Sequence, residues 1–142
     1  IMSGANKICG ILIENTFKGD NINQSIIGIG LNVNQQDFGE LTNAGSLRNI
    51  LGVYFDLEEV LSQVLNQMRI DLINFTSIPF ESIKIQYHDV LYRKDEWSVF
   101  ADSHNNRFKA MIKGITDEGK LYVIDESGIK RSFDQKELKL IF

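Results

Sequence analysis

Two apolar runs near the start of the chain are separated by a polar turn, in the manner of paired strands. Lys7-Ile8-Cys9-Gly10-Ile11-Leu12-Ile13-Glu14 leads the first, which extends from Lys7 to Asn15, and the second, Ser25 to Asn34, contains Ile26-Ile27-Gly28-Ile29-Gly30-Leu31-Asn32-Val33-Asn34. Both are rich in Ile, Leu and Val, and the turn-forming Lys18-Gly19-Asp20-Asn21 lies between them, so an antiparallel pair is expected. The first run sets one cation at the mouth of an apolar stretch. The second carries alternate glycines, which bare one strand face so that a ligand can lie against the backbone. A small anionic ligand suits such a surface. The polar stretch Gln35 to Asn43 predicts a loop, and Ala44-Gly45-Ser46-Leu47 opens a short helix or turn ending near Gly52.

The period then becomes helical. Asp56 and Glu59 have the spacing of a capping box, and Leu57, Val60, Leu61, Val64, Leu65, Met68, Leu72 and Phe75 recur at three- and four-residue intervals, predicting a helix that covers a sheet with one broad apolar face. Pro79, the only proline, pre-sets φ for the first turn of a second helix, with Phe80, Ile83, Tyr87 and Val90 or Leu91 on its buried side. From Trp97 onward the pattern alternates. Strands are expected at Trp97 to Ala101, Arg107 to Ile115, Lys120 to Asp125, Ile129 to Phe133 and Leu138 to Phe142, joined by Ser103-His104-Asn105-Asn106, Asp117-Glu118-Gly119 and Glu126-Ser127-Gly128. Five short strands in so few residues predict a small β-barrel, with a domain boundary between about Leu91 and Glu96. The fold class is therefore α+β.

Composition narrows the chemistry. The 142 residues, 43% of them hydrophobic, suit one domain or two small ones. With 15 Lys and Arg against 19 Asp and Glu, the formal charge is −4 and no basic block accumulates, so no nucleic-acid surface is expected from this chain. No apolar run approaches the roughly 20 residues of a membrane span. A lone Cys9 excludes an internal disulfide, points to a reducing, cytosolic setting and reads as a small buried hydrophobe; with only His88 and His104 besides, no metal-ligand spacing is present and no structural metal is expected. His88, His104, Asp117-Glu118 and Asp125-Glu126 read as solvated groups on a helix and in hairpin turns. The chain starts at Ile1, and Met2-Ser3-Gly4-Ala5-Asn6 reads as the turn of a hairpin whose first strand is missing, which suggests the C-terminal part of something longer.

Taken in order, Lys7-Ile-Cys-Gly10-Ile-Leu-Ile-Glu14, Ile27-Gly28-Ile29-Gly30-Leu31-Asn32-Val33-Asn34, Ala44-Gly-Ser46-Leu47, a long helix and a small closing barrel, the chain resembles the C-terminal part of biotin protein ligases. The resemblance implies that residues 1–93 belong to the catalytic domain, an antiparallel or mixed sheet covered by helices, and that residues 94–142 form an SH3-like barrel. It implies a two-step reaction: biotin and ATP, the latter with Mg2+, give biotinyl-5′-AMP and pyrophosphate, and a lysine of the biotin carboxyl carrier protein domain of a carboxylase then takes the biotinyl group. Lys7 matches the family's strand-opening lysine and would offset charge on the α-phosphate and the biotin carboxylate. Gly10 would allow close approach, Ile11 would pack on the bicyclic ring, Gly28 and Gly30 would form the opposite wall, and Asn32 would serve the adenylate or its ribose. A cytoplasmic enzyme, with a homodimer as one arrangement, is implied as well.

The chain also departs from the family. No Gly-Arg-Gly-Arg loop is present, so the segment is expected to be inactive alone. Lys136-Glu137-Leu138-Lys139-Leu140 runs into Ile141-Phe142 where the family often has Gly-Glu and then Arg. The rival readings are a lipoate ligase relative, which would share the lysine-bearing strand, and a non-catalytic barrel module that binds a protein partner.

Overall fold

A computed structural model describes residues 1–134 and 136–141, and divides the chain into two compact units, Ile1–Asn74 and Phe75–Phe142. The first unit opens with a miniature hairpin, β1 (Met2–Ser3) on β2 (Asn6–Lys7), turned at Gly4-Ala5 with Gly4 at φ 55°. The turn is tight because Gly4 takes a left-handed φ at no steric cost. Strands β3 (Cys9–Lys18) and β4 (Asn21–Leu31) form the expected antiparallel hairpin, longer than the apolar pattern predicted. Backbone pairing continues through polar Thr16, Asn21 and Gln24, past a bulge between Thr16 and Phe17, since the ladder does not depend on apolar side chains.

Helix α1 (Leu47–Leu51) is capped by Ser46, whose hydroxyl accepts the Asn49 N–H at 3.1 Å while Asn49 Oδ1 accepts the Ser46 N–H at 3.1 Å; it ends at Gly52, φ 73°. Helix α2 (Leu57–Phe75) begins where the Asp56 carboxylate accepts the Glu59 N–H at 3.0 Å, as the capping spacing predicted. Asn34 ties the end of the hairpin to this start: its Nδ2 donates to Phe55 O at 2.7 Å and its Oδ1 accepts the Phe55 N–H at 2.9 Å. The expected sheet is here two separate two-stranded ladders, joined to the loop by an isolated parallel bridge between Lys7 and Ala44.

In the second unit, α3 (Phe80–Asp89) follows Pro79, and β5 (Trp97–Asp102), β6 (Arg107–Ile115), β7 (Leu121–Asp125), β8 (Lys130–Phe133) and β9 (Leu138–Ile141) fall where the alternation placed them. Phe142, the expected last residue of β9, lies outside the described residues. The strands form one antiparallel sheet in the order β8-β7-β6-β5-β9. Phe100, Ala110, Ile112 and Val123 make its core, with Leu91, Phe108, Leu121, Phe133, Leu138 and Leu140 packed around them. Both outer strands therefore bend toward one core. No ladder joins β8 to β9 among the described residues, so the sheet is curled and open rather than a closed barrel.

Two groups expected to be solvated are structural. The Nε2 of His88 accepts the Ile115 N–H at 3.0 Å, and its ring lies against Gly114, where an added Cβ would stand 2.8 Å from Cε1. The neighbouring Lys84–Asp117 ion pair also holds α3 to the β6–β7 turn, raising the Lys84 pKa and lowering that of Asp117 through their hydrogen bond. Asp125 is 7% exposed and closes the β7–β8 turn by accepting the N–H groups of Ile129 and Ser127, each at 3.0 Å, with Arg131 at 2.8 Å. Turn geometry points the carboxylate inward, where the sequence alone shows only a polar tripeptide.

Phe100→Ala should destabilise the second unit by about 3–5 kcal/mol, since it empties the largest fully buried side chain of that core; denaturant unfolding followed by Trp97 fluorescence reads it, and a loss below 1 kcal/mol, on the order of a surface change, contradicts the core assignment. The Ile129 N–H, aided by Ser127 and Arg131, holds the Asp125 carboxyl below the usual carboxylate range. Its stabilising effect is thus present above the unfolded-chain pKa of about 3.9 and lost as pH falls through the lower folded value. Asp125→Asn should lower the melting temperature at pH 7, and the gap from the parent should shrink below about pH 4; a gap independent of pH would refute this.

Candidate functional site

The β3–β4 register decides what the hairpin offers on each side. Gly10 pairs with Gly30 and Leu12 with Gly28, while Cys9 pairs with Leu31, Ile11 with Ile29 and Ile13 with Ile27. Because successive side chains point to opposite faces, Gly10, Gly28 and Gly30 lie together on one face and Ile11 on the other. The glycine face is open: a Cβ at Gly30 would meet nothing within 4 Å, and one at Gly28 only Leu12 O at 3.9 Å. At Gly10 the nearest atoms are those of Lys7, Cε at 3.9 Å and Nζ at 4.0 Å from the Cβ position. The Lys7 ammonium thus reaches over bare backbone at one end of a glycine strip.

Ile11 lies elsewhere. With Ile27 and Ile29 it faces Leu57, Leu61 and Leu65 of α2 across an apolar cavity of about 550 Å³. Cys9, 3% exposed, belongs to the same apolar side, in keeping with a small buried hydrophobe. The structure brings together Lys7, Gly10, Gly28 and Gly30, and makes Gly28 and Gly30 part of the same wall as Gly10 rather than an opposing one. It separates Ile11 from them by the thickness of the strand pair.

Asn32 is at the end of this strip, half-buried, and is bound into the scaffold. Its N–H donates to Ile8 O at 2.8 Å, its carbonyl accepts the Leu47 N–H at 3.0 Å, and its Nδ2 donates to Gly45 O at 3.0 Å. Gly45 and its neighbours are what the reading of the strands alone missed. The Lys7 N–H donates to Asn43 O at 2.7 Å and the Gly45 N–H to Lys7 O at 3.0 Å, so this loop holds the lysine's backbone. The one local signal was the capping spacing of Ser46 and Asn49, which marks a fixed helix start just after Gly45.

Comparison with known proteins bears on this arrangement. The chain is 31% identical over 137 residues to the bifunctional ligase/repressor BirA of Bacillus spizizenii, and equally to that of Bacillus subtilis; the match covers 94% of this chain and 42% of either relative. Its fold matches the apo biotin protein ligase of Aquifex aeolicus with a TM-score of 0.73 and 24% identity, over 96% of this chain and 59% of that one. The same enzyme in complex with biotin and ATP gives a TM-score of 0.71 and 25% identity, over 96% and 56%. In sequence and in fold this chain is similar to the C-terminal part of biotin protein ligases. No protein-family model matches it. The chain spans about two fifths of the length of its Bacillus relatives, covering 42%.

The strip beneath Lys7 is bare backbone at Gly10, Gly28 and Gly30, with the exposed Leu12 side chain on the same face opposite Gly28. No helix among the described residues is long and apolar enough to cross a membrane. Gly30→Ala adds a Cβ into open space, so stability should hold or rise by up to about 1 kcal/mol. Gly30→Val, which fills that space, should weaken biotin binding in the enzyme that carries this segment. Melting temperature and biotin affinity together decide: a lower melting temperature with affinity retained would assign Gly30 to packing instead.

Proposed function

We propose that this chain is the C-terminal segment of an enzyme that activates biotin with ATP and transfers it to a lysine of a biotin carboxyl carrier protein domain. What carries the reading is the Lys7 ammonium placed over the open Gly10–Gly30 backbone, in a chain whose relatives are ligases. In the first step a biotin carboxylate oxygen attacks the α-phosphorus of ATP, the bond from that phosphorus to the pyrophosphate oxygen breaks, and biotinyl-5′-AMP forms. In the second, a carrier lysine amine attacks the acyl carbon and AMP leaves with the electron pair of the acyl–oxygen bond.

Lys7 serves the first step. Two anions, the carboxylate and the α-phosphate, must approach each other, and a fixed ammonium beside them offsets the charge that builds in the transition state. Its backbone is held by Asn43 and Gly45, which fixes the base from which the ammonium reaches. Gly10, Gly28 and Gly30 let the ligand lie close to the strands. Ile11 lines the apolar cavity on the far side of the hairpin, and the bonds of Asn32 to Ile8 and Gly45 fit a brace for the lysine strand more closely than an adenylate contact.

No group of three or more His, Cys, Asp or Glu suited to a metal lies among the described residues, and Mg2+ would enter with the ATP phosphates as part of the substrate. The curled sheet of the second unit is read as the family's SH3-like module, the domains as residues 1–93 and 94–142 and the setting as cytoplasmic, with a homodimer as one arrangement. The comparisons do not favour the lipoate-ligase alternative.

Lys7→Ala in the enzyme carrying this segment should slow adenylate formation about 10²–10³-fold, equivalent to about 2.7–4 kcal/mol, with biotin binding changed far less. Single-turnover release of pyrophosphate measures it, and a wild-type rate would remove Lys7 from this role.

A further inference from the structure

The segment 43–46 makes interactions that neither strand-level pattern nor the proposed chemistry explains. It runs parallel to Lys7, bridged at Ala44, and holds the lysine's N–H and carbonyl through Asn43 and Gly45. Gly45 is itself immobilised: its carbonyl accepts from Asn32 Nδ2, and the next residue, Ser46, is 0% exposed and caps α1 through Asn49. Gly45 is also buried, and its φ is not in the left-handed region, so its dihedral angles do not demand glycine. What demands glycine is space. A Cβ on Gly45 would stand 3.0 Å from Asn6 Cβ and 3.5 Å from Asn6 Cγ. Asn6 precedes Lys7 in β2, and a Cβ cannot be moved by choosing another rotamer, so only the strand itself can yield.

We infer that Gly45 is a positioning residue for Lys7: its missing side chain lets β2 lie close against the 43–45 segment, and this closeness sets the lysine ammonium over Gly10. The inference rests on the role given to Lys7 above. Gly45 touches no substrate. A methyl group there pushes Asn6 away, and Lys7, the next residue, moves with it, while the loop stays pinned by Asn32 and by the α1 cap. Displacement of a charge-stabilising group by a fraction of an ångström to an ångström lowers a rate far more than it lowers substrate affinity.

The test starts with the 142-residue chain. In the parent, nuclear Overhauser signals should link the Lys7 ε-methylene to the Gly10 α-protons. Gly45→Ala should weaken them measurably, and Gly45→Ala with Asn6→Gly, which removes the obstructing Cβ and Cγ, should restore their intensity. In the enzyme carrying this segment, Gly45→Ala should slow adenylate formation about 10- to 100-fold with the KM values for biotin and ATP near the parent's, Asn6→Gly should rescue the rate, and Gly45→Ala should add nothing once Lys7 is alanine.

Overhauser signals and a rate that are both unchanged by Gly45→Ala overturn the inference, as does an equal slowing in the Lys7→Ala background. Should Gly45→Ala fail to fold, the double variant decides: if it folds and shows the Lys7–Gly10 signals the steric account stands, and if it also fails to fold the account is wrong. A wild-type rate for Lys7→Ala would refute the catalytic reading of the lysine, whereas the geometric part of the inference is judged separately, by whether the Lys7–Gly10 signals weaken in Gly45→Ala and recover in the double variant.

Discussion

The pairing of Gly10 with Gly30 across β3 and β4 is the constraint on which the first unit depends. With the pleat fixed by that register, every second residue of both strands points toward α2, and the glycines point the other way. A slip of one residue would turn Ile11, Ile27 and Ile29 away from the apolar cavity that α2 lines and put side chains on the face that the glycines leave bare. One backbone register therefore serves two purposes: it supplies the apolar side that α2 faces, and it leaves a bare surface that a ligand can approach.

The lysine at the end of that surface depends on a second kind of constraint. An exposed Lys has a long, freely rotating stem, and nothing in its own strand would hold it. Here its backbone is bonded on one side by Asn43 and Gly45, the loop is held by Asn32, and the end of the loop is fixed by the Ser46 cap. Each bond is an ordinary one of about 1 kcal/mol. Their effect is geometric, because together they fix the backbone from which the Lys7 stem extends, and the ammonium stands near Gly10.

The second unit uses different means. Its core is small and aromatic, with Phe108 tilted against Phe100 and stacked near Phe133, so strands far apart in the sheet meet through rings rather than through a closed ladder. Polar groups then fix the periphery. His88 satisfies the Ile115 N–H and Asp125 closes the β7–β8 turn. Both read as solvated in the sequence because a single His or a turn Asp carries no mark there of the backbone groups it will meet.

The sequence by itself determined the elements. Alternation placed β5 to β9, three- and four-residue spacing placed α2, and Asp56 with Glu59 marked its start, because these signals come from local backbone geometry and from the burial of one face. The order of motifs was enough to indicate the resemblance to biotin protein ligases, and Lys7 with the three glycines was enough to mark a candidate site. Tertiary structure alone decided that Ile11 faces away from the glycines, that Asn32 braces a loop, that the sheet's outer strands remain unjoined, and that Gly45 lies against Asn6. Each of these is a meeting of residues distant in the chain, or a choice of face set by register, and both depend on where the folded backbone brings its parts rather than on what any short stretch of residues prefers.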